Sequence, residues 1–465
     1  MTRPNVLLIT ADDLNWNSVG AYGCPVENVT PNIDAFAATA MRFERAHVTC
    51  AVCMPSRSVL ATGLYPHNNG IEGFQGDRLV PGTTSVMEHL RDAGYRCGLL
   101  GKLRHSSAGY DDRWDFAFDM EDLDRGRSPE LYGLRAREFF ESCGDQPFYF
   151  MANSHDPHRP FYGSAQEADR WPEPTPRPSR VYGEDEVTIP GFLPELPEVR
   201  LEMSEYFSSV RRCDDTVGAV LDALEATGKA ENTLVLFISD NGMAVPFAKT
   251  NCYLHSTKTP WIMRAPGRTL AGSVESEHFV SGIDWWPTVA EWCGVELPDR
   301  DGRSMLGLLN GETQEGRDVV FTEFNETAGK RSFPMRCVQD GRFGYIFNAW
   351  SDGEREFRNE SMNGRTWKAM CTAAETNAAI ASRVELFSHR VREELYDFRA
   401  DPDALHNLAD DARFSRELER LRGMLANHLE KTGDWAAGMF RLRDDDARLR
   451  AAVDAKQESV RPTAG

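Results

Sequence analysis

Residues 53–63 read Cys-Met-Pro-Ser-Arg-Ser-Val-Leu-Ala-Thr-Gly, and the other polar groups of the chain are best understood from this stretch. Pro55 suits the first position of a helix, because its missing N–H would have no partner there. Gly63 suits the position just beyond the helix end. We therefore predict a helix that begins at Pro55, with Cys53 directly before it. The helix dipole favours negative charge on a side chain at that place, although a lone cysteine is more often a small buried apolar residue.

Four short apolar runs of the chain are each followed at once by polar residues. The runs, with the polar residues after them, are 6–10 with Asp12 and Asp13, 97–100 with Lys102, Arg104 and His105, 148–152 with His155, His158 and Arg159, and 234–239 with Asp240 and Asn241. Such runs are typical of strands covered on both faces. Helical patterns between them, clearest at 210–224, predict an α/β fold whose large, mostly parallel sheet is flanked by helices. Because ligands collect beyond the carboxyl ends of parallel strands, the four polar groups predict a single active site.

A smaller domain is predicted after residue 330, where the sequence pattern changes. Short strand-like runs at 335–338 and 343–347 precede an amphipathic helix at about 414–425. We expect a large catalytic domain over 1–330, a smaller C-terminal α+β domain over 331–440, and a charged tail over 441–465 that is a surface helix or partly disordered. Residues 160–200 are rich in Pro, Glu and Arg, and they are predicted to form a long loop at the rim of the site.

The charge of the chain restricts its partners. A formal net charge of −20 over 465 residues argues against nucleic acid or an anionic membrane as a partner, and it would repel a long polyanion. Any bound anion is therefore expected to be small, or to enter a cationic pocket by one end. The longest apolar runs are too short to span a membrane. Residues 5–10 are also too short for a signal peptide, so we predict a cytoplasmic protein whose ten cysteines are reduced.

The polar residues after the first and last of these strands suit a hard metal ion. Asp12, Asp13, Asp240 and Asn241 offer oxygen ligands of the kind that Ca²⁺ or Mg²⁺ prefers. Each pair alone is more often a helix cap or a turn, so the metal hypothesis depends on their meeting at one sheet edge. Basic side chains that could act beside the cation are Lys102, His105, His155 and Lys249. Each alone is more often a solvated residue, but together they describe a pocket for a tetrahedral oxyanion.

Several motifs resemble the sulfatase family of the alkaline phosphatase superfamily. Residues 53–63 resemble the family consensus, in which the cysteine is oxidised after translation to formylglycine. Further stretches that fit the family are 94–102, 232–242, Lys249 with Tyr253 and Pro260, 284–288, 301–304, 394–397 and 407–409. Three shorter stretches, at 155–159, 250–253 and 333–336, resemble N-sulfoglucosamine sulfohydrolases (sulfamidases). The resemblance covers most of residues 4–310 and implies an alkaline-phosphatase-like α/β fold.

The resemblance also implies a role for each candidate residue. The cation, Ca²⁺ with Mg²⁺ as the alternative, would be held by Asp12, Asp13, Asp240, Asn241 and residue 53. Arg57 and Lys102 would orient the formylglycine, and Lys249 and His155 would contact the sulfate or protonate the leaving group. His105 would assist the second step, and the substrate would be bound by His158 and Arg159. Hydrated formylglycine would attack sulfur through one hydroxyl, and its second hydroxyl would then allow sulfate to be expelled. A formylglycine-generating enzyme or an anaerobic maturase is the implied partner, and a homo-oligomer is a further expectation.

Two departures from the family pattern leave alternatives open. Many relatives have Lys-x-His, whereas this chain has Lys102-Leu103-Arg104-His105, so either His105 or Arg104 takes the place of the histidine. Relatives also often carry Tyr-Glu-Gly-Gly after the sulfate-binding lysine, where residues 253–256 read Tyr-Leu-His-Ser. The second change argues against general arylsulfatase activity.

The leading hypothesis is a sulfatase that hydrolyses a sulfate ester or N-sulfate of a small sugar. The alternatives are a phosphonate or phosphate monoester hydrolase of the same superfamily, a broad arylsulfatase, and a non-enzymatic anion- or sugar-binding protein with unmodified Cys53. Phosphonate hydrolases tend to place histidine after the metal-binding aspartate, so Asn241 favours the sulfatase.

Overall fold

The computed structural model describes residues 3–460. Its strands are β1 (Asn5–Asp12), β2 (Met41–Phe43), β3 (Ala46–His47), β4 (Arg96–Leu100), β5 (Phe116–Phe118), β6 (Phe148–Pro157), β7 (Thr233–Ser239), β8 (Trp261–Arg264), β9 (Val274–Glu275), β10 (Val280–Ser281), β11 (Val319–Glu326), β12 (Ser332–Asp340), β13 (Phe343–Asn348) and β14 (Glu393–Asp397). Its α-helices are α1 (Pro31–Ala37), α2 (Cys53–Thr62), α3 (Pro66–Asn69), α4 (Val86–Asp92), α5 (Leu103–Ser106), α6 (Pro129–Ser142), α7 (Ala165–Arg170), α8 (Pro197–Ala226), α9 (Leu254–Thr257), α10 (Trp285–Cys293), α11 (Arg365–Ala374), α12 (Ala378–His389), α13 (Ser415–Lys431), α14 (Ala436–Arg441) and α15 (Asp446–Val460).

The large sheet has eight strands in the order β5-β4-β6-β1-β7-β8-β2-β9. β1 lies between β6 and β7 and is parallel to both. β4 continues the parallel arrangement beside β6, and β8 pairs antiparallel with β7 and with β2. The predicted, mostly parallel sheet is therefore confirmed, with β8 as the strand that makes it mixed. The carboxyl ends of β1, β4, β6 and β7 meet at one edge, as the polar residues after them require.

Alternate residues of β1 pack into two different apolar cores. Leu7 and Ile9 belong to the core on one face of the sheet, which includes the long helix α8. Val6 and Leu8 belong to the core on the other face, where the helix α10 packs. Because both faces are covered, an uninterrupted apolar run is the pattern that this strand needs.

The helix α8 is longer than its apolar pattern predicts. The predicted part around 210–224 is confirmed, and Val210, Val217 and Leu224 are fully buried. The helix begins at Pro197, however, within the stretch that was predicted to be a loop. Its first half buries polar residues such as Glu202 and Ser208, which hide the apolar period in the sequence.

A four-stranded antiparallel sheet, in the order β11-β12-β13-β14, forms the C-terminal part. The predicted helix is present as α13, which buries Leu418, Leu421 and Leu425. β11 starts before residue 330, so this sheet includes residues on both sides of the predicted boundary. The division at 330 and 440 stays a prediction.

Within the described residues, most of the charged tail forms helix α15, which begins at Asp446. Helix α15 buries Leu449 and Val453, and the Gln457 side chain accepts a hydrogen bond from the backbone N–H of Ser332 at 2.8 Å. Residues 461–465 of the predicted tail lie outside the described residues. No helix within residues 3–460 has both the length and the apolar composition that a membrane span requires.

Helix α2 begins at Cys53, so the start predicted at Pro55 was wrong by two residues. The first four N–H groups of a helix have no partner within it, so a proline is tolerated anywhere in the first turn. The predicted end is confirmed, because Gly63 has a φ of 67° and its N–H donates to the Val59 carbonyl at 2.8 Å.

Candidate active site

The ends of β1 and β7 bring four polar side chains together. Asp12 ends β1, and Asp13 follows it with a left-handed φ of 68°. Asp240 and Asn241 follow β7, which pairs with β1 along its whole length. The backbone N–H of Asp13 donates to Asp240 Oδ1 at 3.1 Å. All four residues are fully buried, so the parallel pairing of two neighbouring strands concentrates three carboxyl groups in the interior.

These side chains have the chemistry of a site for a hard divalent cation. Burial raises the pKa of the Asp240 carboxyl more than the neighbouring Arg57 lowers it, and the charges of Asp12 and Asp13 add to the increase. Asn241 donates from Nδ2 to Asp13 Oδ1 at 2.7 Å, while its own Oδ1 has no hydrogen-bond partner among residues 3–460. A buried, unpaired amide oxygen beside three carboxyl groups fits Ca²⁺ or Mg²⁺. Polar atoms of Asp12, Asp13, Cys53 and His158 also lie within 4.8 Å of one another.

Cys53 lies at the start of α2 and is 1% exposed. Its Sγ donates to Asp12 Oδ1 over 3.3 Å. Burial, and then the charge of Asp12, raise the pKa of the thiol well above its usual range. The negative charge that the helix dipole was predicted to favour is therefore opposed by two larger effects, and the thiol stays protonated. A neutral thiol among hard oxygen ligands is a poor nucleophile and a poor ligand.

Arg57 is fully buried one helical turn after Cys53 and fixes the relative positions of three strands. Its Nε and Nη2 lie 2.9 and 2.7 Å from Asp240 Oδ2. Its Nη1 donates to Thr10 on β1 at 2.7 Å and to Asn153 on β6 at 2.9 Å. The guanidinium thus joins α2 to the ends of β1, β6 and β7, which supports its predicted role of orienting residue 53.

Two lysines contact the carboxylates of β1. Lys102 has a left-handed φ of 55°, and its Nζ pairs with Asp12 Oδ2. Lys249 Nζ lies 2.8 Å from Asp13 and 2.9 Å from Glu360. Burial alone would lower the pKa of Lys249, but the neighbouring carboxylates outweigh it and hold the pKa well above its usual value. Both ammonium groups remain charged, as binding of a tetrahedral oxyanion requires.

Two of the predicted histidines lie at the end of β6. His155 Nδ1 lies 3.3 Å from the hydroxyl of Tyr132, which itself donates to the Asn153 carbonyl at 2.6 Å. Burial, followed by the charge of Lys102, holds the pKa of His155 well below its usual range. His158 Nε2 lies 3.4 Å from Glu360 and 3.8 Å from Asp13. His155 is therefore neutral. His158 shares its two acidic neighbours, Asp13 and Glu360, with Lys249.

The third histidine is on the short helix α5, next to Lys102. His105 is half-buried, its Nδ1 has no hydrogen-bond partner in the described part of the chain, and burial lowers its pKa to about 3. Arg104 is exposed. Both residues border a cavity of about 720 Å³ that also contacts Met54. The burial of His105 favours it over Arg104 for the role of the family histidine, and that assignment stays a prediction.

A second cavity, of about 540 Å³, opens directly over Lys102 and His155. Its walls are Lys102, Met120, Arg125, Arg127, His155, His158, Arg159, Pro160, Gln166, Asp169, Arg170, Trp171, Glu360 and Asn363. Residues around α7 form one wall, in agreement with the rim predicted for 160–200. Arg159 was predicted to bind substrate, but its Nε donates to the Ala244 carbonyl at 3.0 Å and its Nη1 to Glu202 at 2.8 Å. The basic lining gives this strongly acidic protein a cationic cavity beside its carboxylate cluster.

Comparisons with known proteins agree with this geometry. The family model described as Sulfatase matches residues 4–295. The chain belongs to the sulfatase family. A second family model, described as N-sulphoglucosamine sulphohydrolase, C-terminal, matches residues 243–357 of this sulfatase.

One relative and two solved structures match this sulfatase over nearly its whole length. It is 32% identical to the human N-sulphoglucosamine sulphohydrolase, over 93% of this chain and 91% of the relative. A protein solved in complex with its substrate D-glucosamine-2-N,6-O-disulfate matches with a TM-score of 0.68 and 19% identity, covering 93% of this chain and 99% of the other. The phosphonate monoester hydrolase of Agrobacterium radiobacter matches with a TM-score of 0.65 and 20% identity, over 92% and 96% of the two chains. These structural neighbours establish the alkaline-phosphatase-like fold.

Sulfatases generally use formylglycine and a divalent metal ion, and the residues of this sulfatase fit both. An aldehyde hydrate at position 53 would put oxygen, rather than sulfur, beside Asp12 and Arg57. This replacement removes the mismatch between a neutral thiol and a hard-ligand cluster. The roles of the individual ligands remain predictions.

Several buried residues of the site were not foreseen from the sequence. Thr10 ends the apolar run of β1 and Asn153 follows that of β6, and a polar residue still within a central strand was a usable signal. Asp156 pairs with Arg127, and it accepts from Arg212 Nε at 2.7 Å. Glu360 is more than a hundred positions from Lys249, its contact, so no local pattern could have indicated it. The missing information lies in tertiary packing.

Proposed function

We propose that this sulfatase hydrolyses the N-sulfate of a glucosamine unit in a small or terminal sugar. The observation that supports this most strongly is the similarity to the human N-sulphoglucosamine sulphohydrolase, which extends over 93% of this chain and 91% of the relative. The cationic cavity of about 540 Å³ beside Lys102 is large enough for a sugar but confined on several sides. An anionic sugar therefore has both a place to bind and positive charges to bind it.

In this proposal, formylglycine at position 53 and the divalent cation together supply an oxygen nucleophile and positive charge at sulfur. The chain's own cations do the binding. Lys102 and Lys249 come from different parts of the sequence, and each contacts a carboxylate of the cluster. Their ammonium groups can therefore hold the sulfate oxygens. Arg57 holds the start of α2 against β7, which keeps residue 53 beside Asp12.

His155 is suited to move a proton at its Nε2 atom. The Tyr132 hydroxyl donates its only hydrogen to the Asn153 carbonyl at 2.6 Å, so towards His155 Nδ1, at 3.3 Å, it can act only as an acceptor. A neutral imidazole with its proton on Nδ1 has a free lone pair on Nε2. When the S–N bond breaks, the nitrogen keeps the electron pair and needs one proton. Nε2 carries no proton in that tautomer, so we assign to it a transfer in two stages: it accepts the proton that the attacking hydroxyl of residue 53 loses, and it then donates that proton to the nitrogen.

The direct test compares three substrates with the purified protein: N-sulfoglucosamine, 4-nitrophenyl sulfate and an aryl phosphonate monoester. We expect N-sulfoglucosamine to have the highest kcat/KM. A clear preference for the phosphonate would overturn the proposal in favour of the phosphonate hydrolase alternative. Mass spectrometry of the peptide around residue 53 gives an independent readout, because active protein containing only the thiol would exclude formylglycine.

The proposal extends to the cofactor, the partners and the location. We propose Ca²⁺ as the ion, with Mg²⁺ as the alternative, since all the candidate ligands are oxygens. The further proposals are a formylglycine-generating enzyme or anaerobic maturase that acts on Cys53, a cytoplasmic location, and a homo-oligomer. Metal analysis of the active protein tests the first, and light scattering tests the last.

A further inference from the structure

We propose that Glu360 selects N-sulfates over O-sulfates by accepting a hydrogen bond from the N–H of the scissile group. This inference rests on the proposed function, because it explains how the same site would distinguish a sulfamate from a sulfate ester. Glu360 begins the 3-10 turn Glu360–Asn363, which lies between the C-terminal sheet and α11. It is one of two carboxylates, with Asp169, in a cavity wall that is mostly basic, so its presence needs an explanation.

The Glu360 carboxylate is linked to the carboxylate cluster through Lys249 and His158, which contact both. Its Oε2 is 2.9 Å from Lys249 Nζ, and its Oε1 is 3.4 Å from His158 Nε2. Both of these groups also face Asp13, Lys249 at 2.8 Å and His158 at 3.8 Å. The side chain is 35% exposed and forms part of the cavity wall. Glu360 therefore touches Lys249, which is assigned to the sulfate, and His158, which is assigned to the substrate, and it also reaches the space for the sugar.

The turn that carries Glu360 is firmly held. The preceding Asn359 donates from its side chain to Thr250 Oγ1, next to Lys249, and it accepts from Ser361 Oγ at 2.8 Å. The first residues of α11 are anchored as well, because the backbone N–H groups of Arg365 and Thr366 donate to Glu202 on α8 at 2.8 and 2.9 Å. Contacts on both sides thus fix the carboxylate in place, as a residue that reads a substrate atom requires.

The bridging atom is the chemical difference between the two substrate classes. In a sulfamate the atom between sulfur and the sugar is nitrogen, which carries one hydrogen that it can donate. In a sulfate ester it is oxygen, which has no hydrogen and turns lone pairs towards any neighbouring acceptor. A carboxylate at this point gains a charge-assisted hydrogen bond from the first and is repelled by the second. The additional negative charge, which is unfavourable for sulfate binding in general, becomes useful only with the sulfamate.

A simpler role for Glu360 would be to hold Lys249 and His158 in position. That role predicts equal losses for every substrate when the carboxylate is removed. The two roles are separated by a pair of probes that differ only in the bridging atom, N-(4-nitrophenyl)sulfamate and 4-nitrophenyl sulfate. Comparing each variant with the wild type cancels the different leaving groups of the probes.

We expect Glu360→Ala to lower kcat/KM for the sulfamate by about 10- to 100-fold, the usual range for a lost hydrogen bond to a charged group. For the sulfate ester we expect a loss of no more than about 3-fold, or a gain. Glu360→Gln preserves the shape and one acceptor oxygen, so its loss on the sulfamate should be smaller than that of Glu360→Ala. This isosteric variant also protects the test against misfolding of the alanine variant.

Glu356→Gln is the matched control, because Glu356 is an exposed carboxylate nearby whose contact is Arg358 at 2.7 Å. It should leave both rates unchanged within about twofold. Equal losses on both probes in the Glu360 variants would overturn the inference and leave the proposed function standing. A wild-type protein that hydrolyses the sulfate ester but neither the sulfamate nor N-sulfoglucosamine would overturn both.

Discussion

At Cys53, burial and a neighbouring carboxylate oppose the effect of the helix N-terminus. The thiol is 1% exposed, and its pKa is raised well above the usual range. A site that worked through a thiolate would need the opposite environment, with positive charge and partial exposure. The surroundings of Cys53 therefore suit a precursor that is converted to an oxygen-bearing group.

We expect Cys53→Ala to fold normally and to lose turnover by about 10³-fold or more, because no oxygen nucleophile can form at position 53. The thermal unfolding midpoint and the rate on N-sulfoglucosamine are the two measurements. Cys50→Ala is the control, since Cys50 is equally buried three residues earlier and should retain activity. Wild-type turnover in Cys53→Ala would contradict the proposed nucleophile.

The carboxylate cluster predicts that a cation stabilises the fold. Calcium at about 100 times its dissociation constant contributes about 2.7 kcal/mol, which corresponds to about 3 °C in the unfolding midpoint for a chain of this size. We expect this increase after calcium is added to chelator-treated wild type, and we expect it to be absent in Asp12→Asn. Differential scanning calorimetry measures it without any substrate. An equal increase in both proteins would place the ion elsewhere.

At the scale of single residues, the sequence predicted those that belong to short motifs. Asp12, Asp13 and Cys53 were foreseen because strand ends and a long consensus identify them. Glu360 was not, because it enters the site from the C-terminal part, and its contact with Lys249 exists only after the chain has folded.

The elements that carry the site were predicted where their apolar period is regular. β1, β4, β6 and β7 are confirmed, and so is the second half of α8. The first half of α8 was missed because Glu202 takes part in its buried face and pairs with Arg159 at 2.8 Å. Paired charges allow a helix to be buried without an apolar stripe, and sequence periodicity cannot detect such pairs.

Arg336 shows that a short motif in the sequence does not reveal whether its residues reach the cavity or pack between elements. Residues 333–336 were one of the three sulfamidase-like stretches, but Arg336 on β12 pairs with Asp434 at 2.5 Å and is buried. Asp434 precedes α14, so the pair joins that helix to the C-terminal sheet. Within residues 3–460, Arg336 is therefore part of the packing between elements and does not line the cavity over Lys102.

A buried ion pair between α3 and β11 gives a pH-dependent prediction. His67 Nδ1 lies 2.6 Å from Glu323. Burial alone would lower the pKa of His67, but Glu323 outweighs it and the pKa is raised. A raised pKa contributes stability that is fully present below the unfolded value of about 6.5 and is lost as the pH rises through the folded value. The folding energy supplied by His67 should therefore decrease on the alkaline side.

We expect His67→Gln to lower the free energy of unfolding by about 2 kcal/mol at about pH 6, and by less as the pH rises above neutrality. Urea unfolding of both proteins across this range measures the difference. His406→Gln is the control, because His406 is exposed and its replacement should change little at any pH. A constant or growing difference would contradict the assigned direction of the pKa shift.

At the scale of the whole molecule, the sequence predicted the class of fold and the acidic character. The protein has a net charge of −20, yet its cavity over Lys102 has a basic lining. The sequence could indicate the total charge, but not where the positive charges gather, because Arg125 lies in a turn and Arg170 ends the short helix α7, and the placement of both depends on tertiary packing.

We expect a long N-sulfated polymer to have a lower kcat/KM than a short one at low salt, since most of the polymer stays in the negative field outside the cavity. The difference should shrink as the ionic strength rises from about 0.01 to about 0.15 M, where the screening length falls from about 30 to about 8 Å. Initial rates on chains of defined length measure it. A difference that does not depend on salt would indicate a steric cause.

The burial of Cys53 also sets an order of events during synthesis. Every residue of α2, from Cys53 to Thr62, is buried, and the helix packs against α5 and α10. An enzyme that oxidises the thiol would need this stretch to be accessible, as it is in the nascent or unfolded chain. A molecule that folds first would keep its thiol for as long as α2 stays packed. The formylglycine content of a preparation would then record a competition between folding and oxidation, and slower folding would favour the oxidised product.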